Sequence, residues 1–267
     1  MKRELPEAAD VTLVETEPRN GAIWIWLNRP ERHNALVPEL ILELRAAIAG
    51  AAERAPAALV LSGRGFSFST GGDLGGFLEH ARSQTELRSY SDRLVGGLHD
   101  AILDLLAFPA PVMAAVNGPV TGGSTGLILA ADLVVMAEDA FIQPYYSAVG
   151  FGPDGGWTAL LPDRIGTARA LAIQYRNTRI GAAEAVDLGI ADGTGPAAGL
   201  CGIIDGWVGD LGRGHAQTHQ ATRQNIWDAR RRDDVRRRLD QEKARFLELV
   251  GRQGTLEGMK EFTRKRA

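Results

Sequence analysis

Residues 112–136 read VMAAVNGPVTGGSTGLILAADLVVM, and the order of signals inside this stretch decides the fold. Val112–Val116 is a short unbroken apolar run, the mark of a strand buried on both faces. Residues 117–123 form a glycine-bearing turn, 127–131 read as a short helix, and 133–136 return as a strand. The same succession stands just upstream. Residues 57–61 are an apolar strand that runs into a loop at 63–72, too rich in glycine and serine for either regular state. A long helix then covers 85–107, with Leu87, Tyr90, Leu94, Leu98, Ile102 and Leu105 at helical spacing, until Pro109 and Pro111 forbid its continuation.

Working outward from this repeat, Ala22–Leu27 (AIWIWL) is apolar at every step, whereas 11–15 alternates. Arg19-Asn20-Gly21 between them supplies hairpin chemistry. After the turn at Asn28-Arg29-Pro30, a helix over 38–52 carries Leu40, Leu44, Ala47, Ile48 and Ala51 on one stripe. Such units, joined by right-handed crossovers, predict an α/β fold of stacked parallel sheets rather than one flat six-stranded sheet. Beyond Gly166 the signals are helical (167–175, 182–188, and a charged stretch at 215–249), and no strand is expected there.

Composition narrows the function. The chain has 267 residues, 45% hydrophobic and 24% charged, enough to bury a real core in one main domain. Thirty Lys and Arg against 33 Asp and Glu leave a net charge of -3, which offers no general field for nucleic acid or an anionic membrane. The basic run at 230–238 is interleaved with Asp228, Asp233, Asp234, Asp240 and Glu242 at helical spacing, so it reads as a solvated or subunit-facing helix. Cys201 is the only cysteine, which excludes an intrachain disulfide and fits a reducing cytoplasm. No apolar run approaches the roughly 18 residues of a membrane span, and the first ten residues lack the apolar stretch of a secretory signal, so a cytoplasmic location is expected.

Both glycine turns follow a strand and lie near a helix start, where amide N–H groups lack intrahelical partners and suit an oxyanion. A tight turn alone would also explain the glycines. Gly63-Arg64-Gly65 begins like a dinucleotide fingerprint, but Phe68 stands at the third glycine position, and no Walker lysine follows either loop. Gly122-Gly123-Ser124-Thr125-Gly126 fits the nucleophile elbow of a serine hydrolase, with Asp192 and His215 or His219 downstream in the required order. The residues 117–121 between strand and serine argue against it. His215 and His219 stand four apart without the glutamate and third ligand of a zinc site, so no metal is assigned.

Several segments, in the right order, resemble the crotonase (enoyl-CoA hydratase/isomerase) superfamily. They are Asn28-Arg29-Pro30-Glu31-Arg32-His33-Asn34-Ala35-Leu36, Phe68-Ser69-Thr70-Gly71-Gly72-Asp73-Leu74, Ala115 through Gly122-Gly123 to Asp132-Leu133, Phe151-Gly152-Pro153-Asp154-Gly155-Gly156, and Glu257-Gly258 with Phe262 and Lys265-Arg266. The resemblance implies a spiral of repeated strand-strand-helix units over 1–200 and a helical oligomerisation region over 201–267, in a homotrimer or dimer of trimers. It implies an acyl-CoA thioester whose enolate oxygen sits between two backbone amides, those of Thr70 and Gly123, with no cofactor beyond the coenzyme A of the substrate. Gly71, Gly72, Asp73, Leu74 and Gly122 belong to the same loops. Arg29, Lys265 and Arg266 are candidates for CoA phosphates, with Phe262 and Lys265 acting on a neighbouring subunit. Tyr145, Tyr146 and Trp157 are candidates for the acyl pocket.

The chain departs from the family where hydratases carry two glutamates: these positions fall on Gly126 and Tyr146. A neutral tyrosine, with an ordinary pKa near 10, orients or donates a proton but does not replace a carboxylate base. Asp154 stands where isomerase-like and some dehalogenating relatives carry an aspartate, and one carboxylate suffices to move one proton; the competing reading is a helix cap. The expected activity is double-bond isomerisation of an enoyl-CoA, with hydration, dehalogenation or C–C hydrolysis on the same scaffold open, and a non-catalytic acyl-CoA binder the other class to test.

Overall fold

The computed structural model describes residues 12–266. The chain starts with β1 (Val14–Arg19) and β2 (Ala22–Leu27), an antiparallel pair in which Arg19 faces Ala22 and Val14 faces Leu27. Asn20 (φ 49°) and Gly21 (φ 85°) form the two-residue turn, both left-handed as a hairpin of this length requires. The first strand was expected at 11–15 and instead runs four residues further, through Pro18; residue 11 lies outside the described residues. An edge strand tolerates a proline, whose missing N–H faces away from the ladder.

From β2 onward the main sheet is parallel. Helix α1 (Pro38–Glu53) crosses to β3 (Ala58–Gly63), α2 (Leu74–His80) and α3 (Gln84–Ala107) cross to β4 (Val112–Val116), and the order β1-β2-β3-β4-β6-β9 closes with β6 (Leu133–Ala137) and β9 (Gly193–Gly195). The chain leaves this sheet twice. Between β4 and β6 it forms β5 (Val120–Thr121) and α4 (Thr125–Leu129), and between β6 and β9 it forms β7 (Phe141–Gln143), α5 (Tyr146–Val149), α6 (Leu161–Ile165), α7 (Thr167–Arg176), β8 (Ile180–Gly181) and α8 (Ala182–Asp187). A second sheet, β5-β7-β8, forms from these pieces. The fold is thus α/β with a helical C-terminal region, as expected, and it has more than one sheet; the larger of the two nonetheless has six strands. Two strands also stand beyond Gly166, where none was expected. β8 and β9 are two and three residues long and half glycine in character, so only an edge already in place makes them strands.

The C-terminal helices are α9 (Leu200–Gly212), α10 (Ala216–Ile226), α11 (Ala229–Leu249) and α12 (Gln253–Arg266). The charged stretch at 215–249 is two helices, because Asp228 Oδ1 accepts from Arg231 N (2.7 Å) and caps a new start. α9 packs on β4 and β6, α11 along α3, and α12 over α2 and α5. Within the basic run, Arg237 and Arg238 pair with Asp234, and Arg238 also reaches Asp163. Among the described residues no helix is long and apolar enough to cross a membrane.

Arg223 of α10 ties this region to the core. Buried at 6% exposure, its guanidinium donates to the carbonyls of Leu105 (2.7 Å), Leu106 (3.0 Å) and Phe108 (2.6 Å) at the end of α3 and to Asp132 Oδ2 (2.7 Å), which in turn accepts from Val112 N at the start of β4. Replacing Arg223 with Met removes a buried charged donor from three carbonyls and a carboxylate, so Arg223→Met should cost about 3 kcal/mol or more in a denaturant titration.

Candidate active site

The two glycine turns lie side by side. Ser69 is bridged to the second turn in both directions, donating to Pro119 O (3.2 Å) and accepting from Thr121 N (3.1 Å). Ser124 Oγ also donates to Ser69 O (2.9 Å), and Thr121 Oγ1 to Thr70 O (2.8 Å). The approach is close enough that a Cβ on Gly71 (φ 78°) would stand 2.6 Å from Thr121 O, so only glycine fits. The segment 28–36 holds the other side of the first turn. Fully buried Asn34 accepts from Arg29 N (2.8 Å) and donates to Ser67 O (2.8 Å), folding this loop so that its backbone meets residues 70–73.

A trans peptide points its C=O and N–H in opposite directions, so an anchored carbonyl aims the amide behind it. Ser69 C=O is held by Thr121 N, and the Thr70 N–H accordingly turns the other way, donating to His33 O (3.1 Å). Thr70 was the expected oxyanion donor; its amide is already spent, and this assignment is corrected. Two residues on, Gly71 C=O accepts from Leu36 N (2.8 Å), which directs the Gly72 N–H away from Leu36, and no group of the described protein accepts it. In the second turn Gly122 C=O accepts from Trp157 Nε1 (2.8 Å), and the Gly123 N–H, in the first turn of a short helix, faces away from that anchor.

Gly72 and Gly123 line one cavity. Its walls are mostly apolar, built by Leu36, Leu74, Phe77, Leu94, Leu98, Val149, Phe151 and Phe246, and of the expected residues Thr70, Gly71, Gly122, Tyr145, Tyr146, Asp154 and Phe262 also face it. Phe262 does so from the same chain, edge-on to Tyr145 with ring centroids 5.2 Å apart. The remaining candidates stand elsewhere. Trp157 is wholly buried and supports Gly122 rather than lining the pocket. Asp73 accepts from Gly75 N (2.9 Å) as the cap of α2, and from Arg29 (2.8 Å) and Arg32 (3.2 Å). Burial pushes its carboxyl up, but the Arg29 bond and the two guanidinium charges outweigh this and lower it. Arg29 Nη1 also donates to Ala35 O (3.1 Å), so this guanidinium braces the loop through one nitrogen. Lys265 pairs with Glu261 (2.7 Å) in an exposed position, and the Arg266 side chain lies outside the described residues.

Among the described residues Asp154 is the one carboxylate that lines the cavity. Its Oδ1 accepts from Tyr146 Oη at 2.6 Å, and its Oδ2 lies 2.8 Å from where a Cβ on Gly123 would stand, so the carboxyl sits against the second amide turn. Burial is the main cause of a carboxyl pKa raised to about 7; the Tyr146 bond pulls it down and the charge of Glu242 pushes it up. Burial, then the neighbouring carboxylate, raises the Tyr146 phenol well above its ordinary value, so it stays a neutral donor. The cap reading of Asp154 fails, since the next helix starts only at Leu161 and the amides of Gly155 and Gly156 donate to His99 Nε2 (3.2 Å) and Glu242 Oε2 (2.8 Å).

A profile of the enoyl-CoA hydratase/isomerase family matches residues 17–267. The chain belongs to the enoyl-CoA hydratase/isomerase family. It is 35% identical over 191 residues, 70% of this chain and 72% of the relative, to YhaR of Bacillus subtilis (strain 168), named as an enoyl-CoA hydratase/isomerase. It is 33% identical over 181 residues, 67% of this chain and 64% of the relative, to 4-chlorobenzoyl coenzyme A dehalogenase-2 of an Arthrobacter species. The fold superposes on an enoyl-CoA hydratase from Bacillus halodurans with a TM-score of 0.86 at 23% identity, over 93% of this chain and 99% of that one. An enoyl-CoA hydratase from Mycobacterium avium subsp. paratuberculosis K-10 gives 0.82 at 26% identity, over 95% and 100%.

Against the pattern of this family, Gly126 is blocked as well as bare. A Cβ there would meet Gly155 O at 2.2 Å and Ile102 Cδ1 at 2.4 Å. The serine-hydrolase reading also fails. Ser124 Oγ is fully buried and donates to Ser69 O and Thr121 O, Asp192 accepts from Val134 N (2.7 Å), and His219 Nε2 lies by Leu211 O (3.3 Å). His99 and Glu242 are the site's neighbours that sequence reasoning missed. Glu242 shares the helix face of Val235, Leu239 and Phe246, all buried, and a glutamate on an apolar stripe was the available signal. Gly126→Glu should create no hydratase; it should lower the melting temperature by several degrees and add no water to a 2-enoyl-CoA, read by thermal denaturation and by loss of enoyl absorbance. Trp157→Phe, which frees the Gly122 carbonyl but fills the space, should lower kcat about tenfold or more with a folded protein.

Proposed function

We propose that this family member isomerises an enoyl-CoA, holding the thioester oxygen between the amides of Gly72 and Gly123 and moving one proton with Asp154. The single observation that carries the reading is a lone buried carboxylate against the second amide turn, at a site whose other two acid–base positions are a sterically closed glycine and a neutral tyrosine. Charge that develops on the thioester oxygen is met by donors whose orientation is set before substrate arrives, each typically worth about 2.7–4 kcal/mol.

For a 3-enoyl-CoA the carboxylate takes a proton from C2, the electrons pass into the carbonyl, and the dienolate rests on the two amides. The same proton returns to C4, the electrons re-form the carbonyl, and the double bond stands between C2 and C3. No water enters, which accords with the apolar cavity. A pKa close to working pH suits an aspartate that must both take and give a proton. Assembly as a homotrimer or dimer of trimers, and a cytoplasmic setting, belong to the same proposal. Exposed Phe66, Tyr175 and Leu42 suit subunit contact, and light scattering reads the mass.

Asp154→Asn should lower isomerisation of a 3-enoyl-CoA by about 10²–10⁴-fold with little change in KM; equal rates would remove the aspartate from the mechanism. Because the deprotonated form is the base, kcat/KM of the wild type should be full above pH 7 and fall as pH drops through about 7. Exchange of C2 hydrogens in deuterated water separates a catalyst from a binder, which would hold acyl-CoA without exchange.

A further inference from the structure

The turn that carries Asp154 is neither helix nor strand, and Gly155 (φ 64°) and Gly156 (φ 87°) both take positive φ. Two side chains from distant helices nonetheless satisfy it. Gly155 N–H donates to His99 Nε2 (3.2 Å) of α3. The Glu242 carboxylate of α11 accepts from Gly156 N (2.8 Å), Thr158 N (2.7 Å), Thr158 Oγ1 (2.7 Å) and Ala159 N (2.9 Å). Both side chains are 3% exposed. Burying a carboxylate is costly, and His99 Nδ1 has no partner, so apolar residues here would pack α3 against α11 at lower cost. As acceptor, Nε2 fixes the neutral tautomer, and burial keeps the ring neutral with a pKa lowered to about 3.

We infer that Glu242 and His99 are positioning residues, which fix the backbone at 155–159 and thereby seat the Asp154 carboxyl against Gly123. The inference rests on the reading of Asp154 as the base. The titratable groups that face Asp154 are Tyr146 of α5 and Glu242 of α11; His99 of α3 faces Glu242 (3.7 Å), and Lys243 is drawn outward to Asp92 (3.2 Å). Glu242 therefore acts on Asp154 in two ways, through the backbone it anchors and through its like charge.

Four variants, Glu242→Gln, Thr158→Val, His99→Leu and His99→Gln, are compared in 3-enoyl-CoA isomerisation, with the Asp154 carboxyl carbon followed by NMR titration. In Glu242→Gln an NH₂ group faces backbone donors and a charge is gone, so kcat should fall about tenfold or more, KM should change little, and the Asp154 midpoint should move to lower pH. Thr158→Val keeps the charge and should lower kcat without moving the midpoint. His99→Leu should lose kcat, and His99→Gln, which restores an acceptor, should recover most of it. An unmoved midpoint in folded Glu242→Gln, or a His99→Gln no better than His99→Leu, overturns the inference; if Glu242→Gln does not fold, the His99 pair decides. The midpoint reads the Glu242–Asp154 arrangement without turnover, whereas an active Asp154→Asn would defeat the functional reading itself.

Discussion

A planar peptide cannot turn its carbonyl without turning its amide, and the site is built on that constraint. Leu36 N grips the carbonyl of Gly71 and Trp157 Nε1 grips that of Gly122, so the N–H groups of Gly72 and Gly123 are directed by bonds made on their far sides. Nothing at the cavity itself need hold them. Both amides are thus oriented by the fold itself, which is the property that the proposed oxyanion role requires.

The acid–base side of the site follows from packing. Gly126 leaves room for the Gly155 carbonyl, and this contact brings the Asp154 turn down onto the second glycine turn, where Asp154 touches Gly123. A glutamate at 126 and this seat for Asp154 exclude each other sterically. The absence of a side chain at 126 and the placement of Asp154 are therefore one structural arrangement. Desolvation then raises the remaining carboxyl toward neutrality, and Tyr146, too basic to ionise, orients it.

The C-terminal helices complete this chain's own site. α11 supplies Glu242 beneath the Asp154 turn and Phe246 in the wall, and α12 supplies Phe262 opposite Tyr145. Arg223 of α10 fastens the end of α3 and, through Asp132, the start of β4. Because α3 also carries Leu98 and His99, helix docking and active-site geometry are mechanically one system.

Periodicity and punctuation made most of the fold legible: AIWIWL, the stripe of α1, the long α3 ended by prolines and the run VMAAV each owe their form to local patterning and burial. The glycine turns and Asp154 were legible as well, because glycines cluster where backbones approach and an acid between Pro153 and two glycines belongs to no regular element. The short strands β8 and β9 were not, since two or three residues become strand only beside an existing edge. Nor could spacing tell Thr70 from Gly72. Both lie in one glycine turn, and which amide is free depends on the carbonyls that His33, Leu36 and Thr121 bring from other segments. The sequence by itself determined the longer elements and the family. Tertiary structure alone decided which peptide faces the cavity and which carboxyl is buried beside it, because hydrogen-bond direction and desolvation are properties of neighbours brought together by folding.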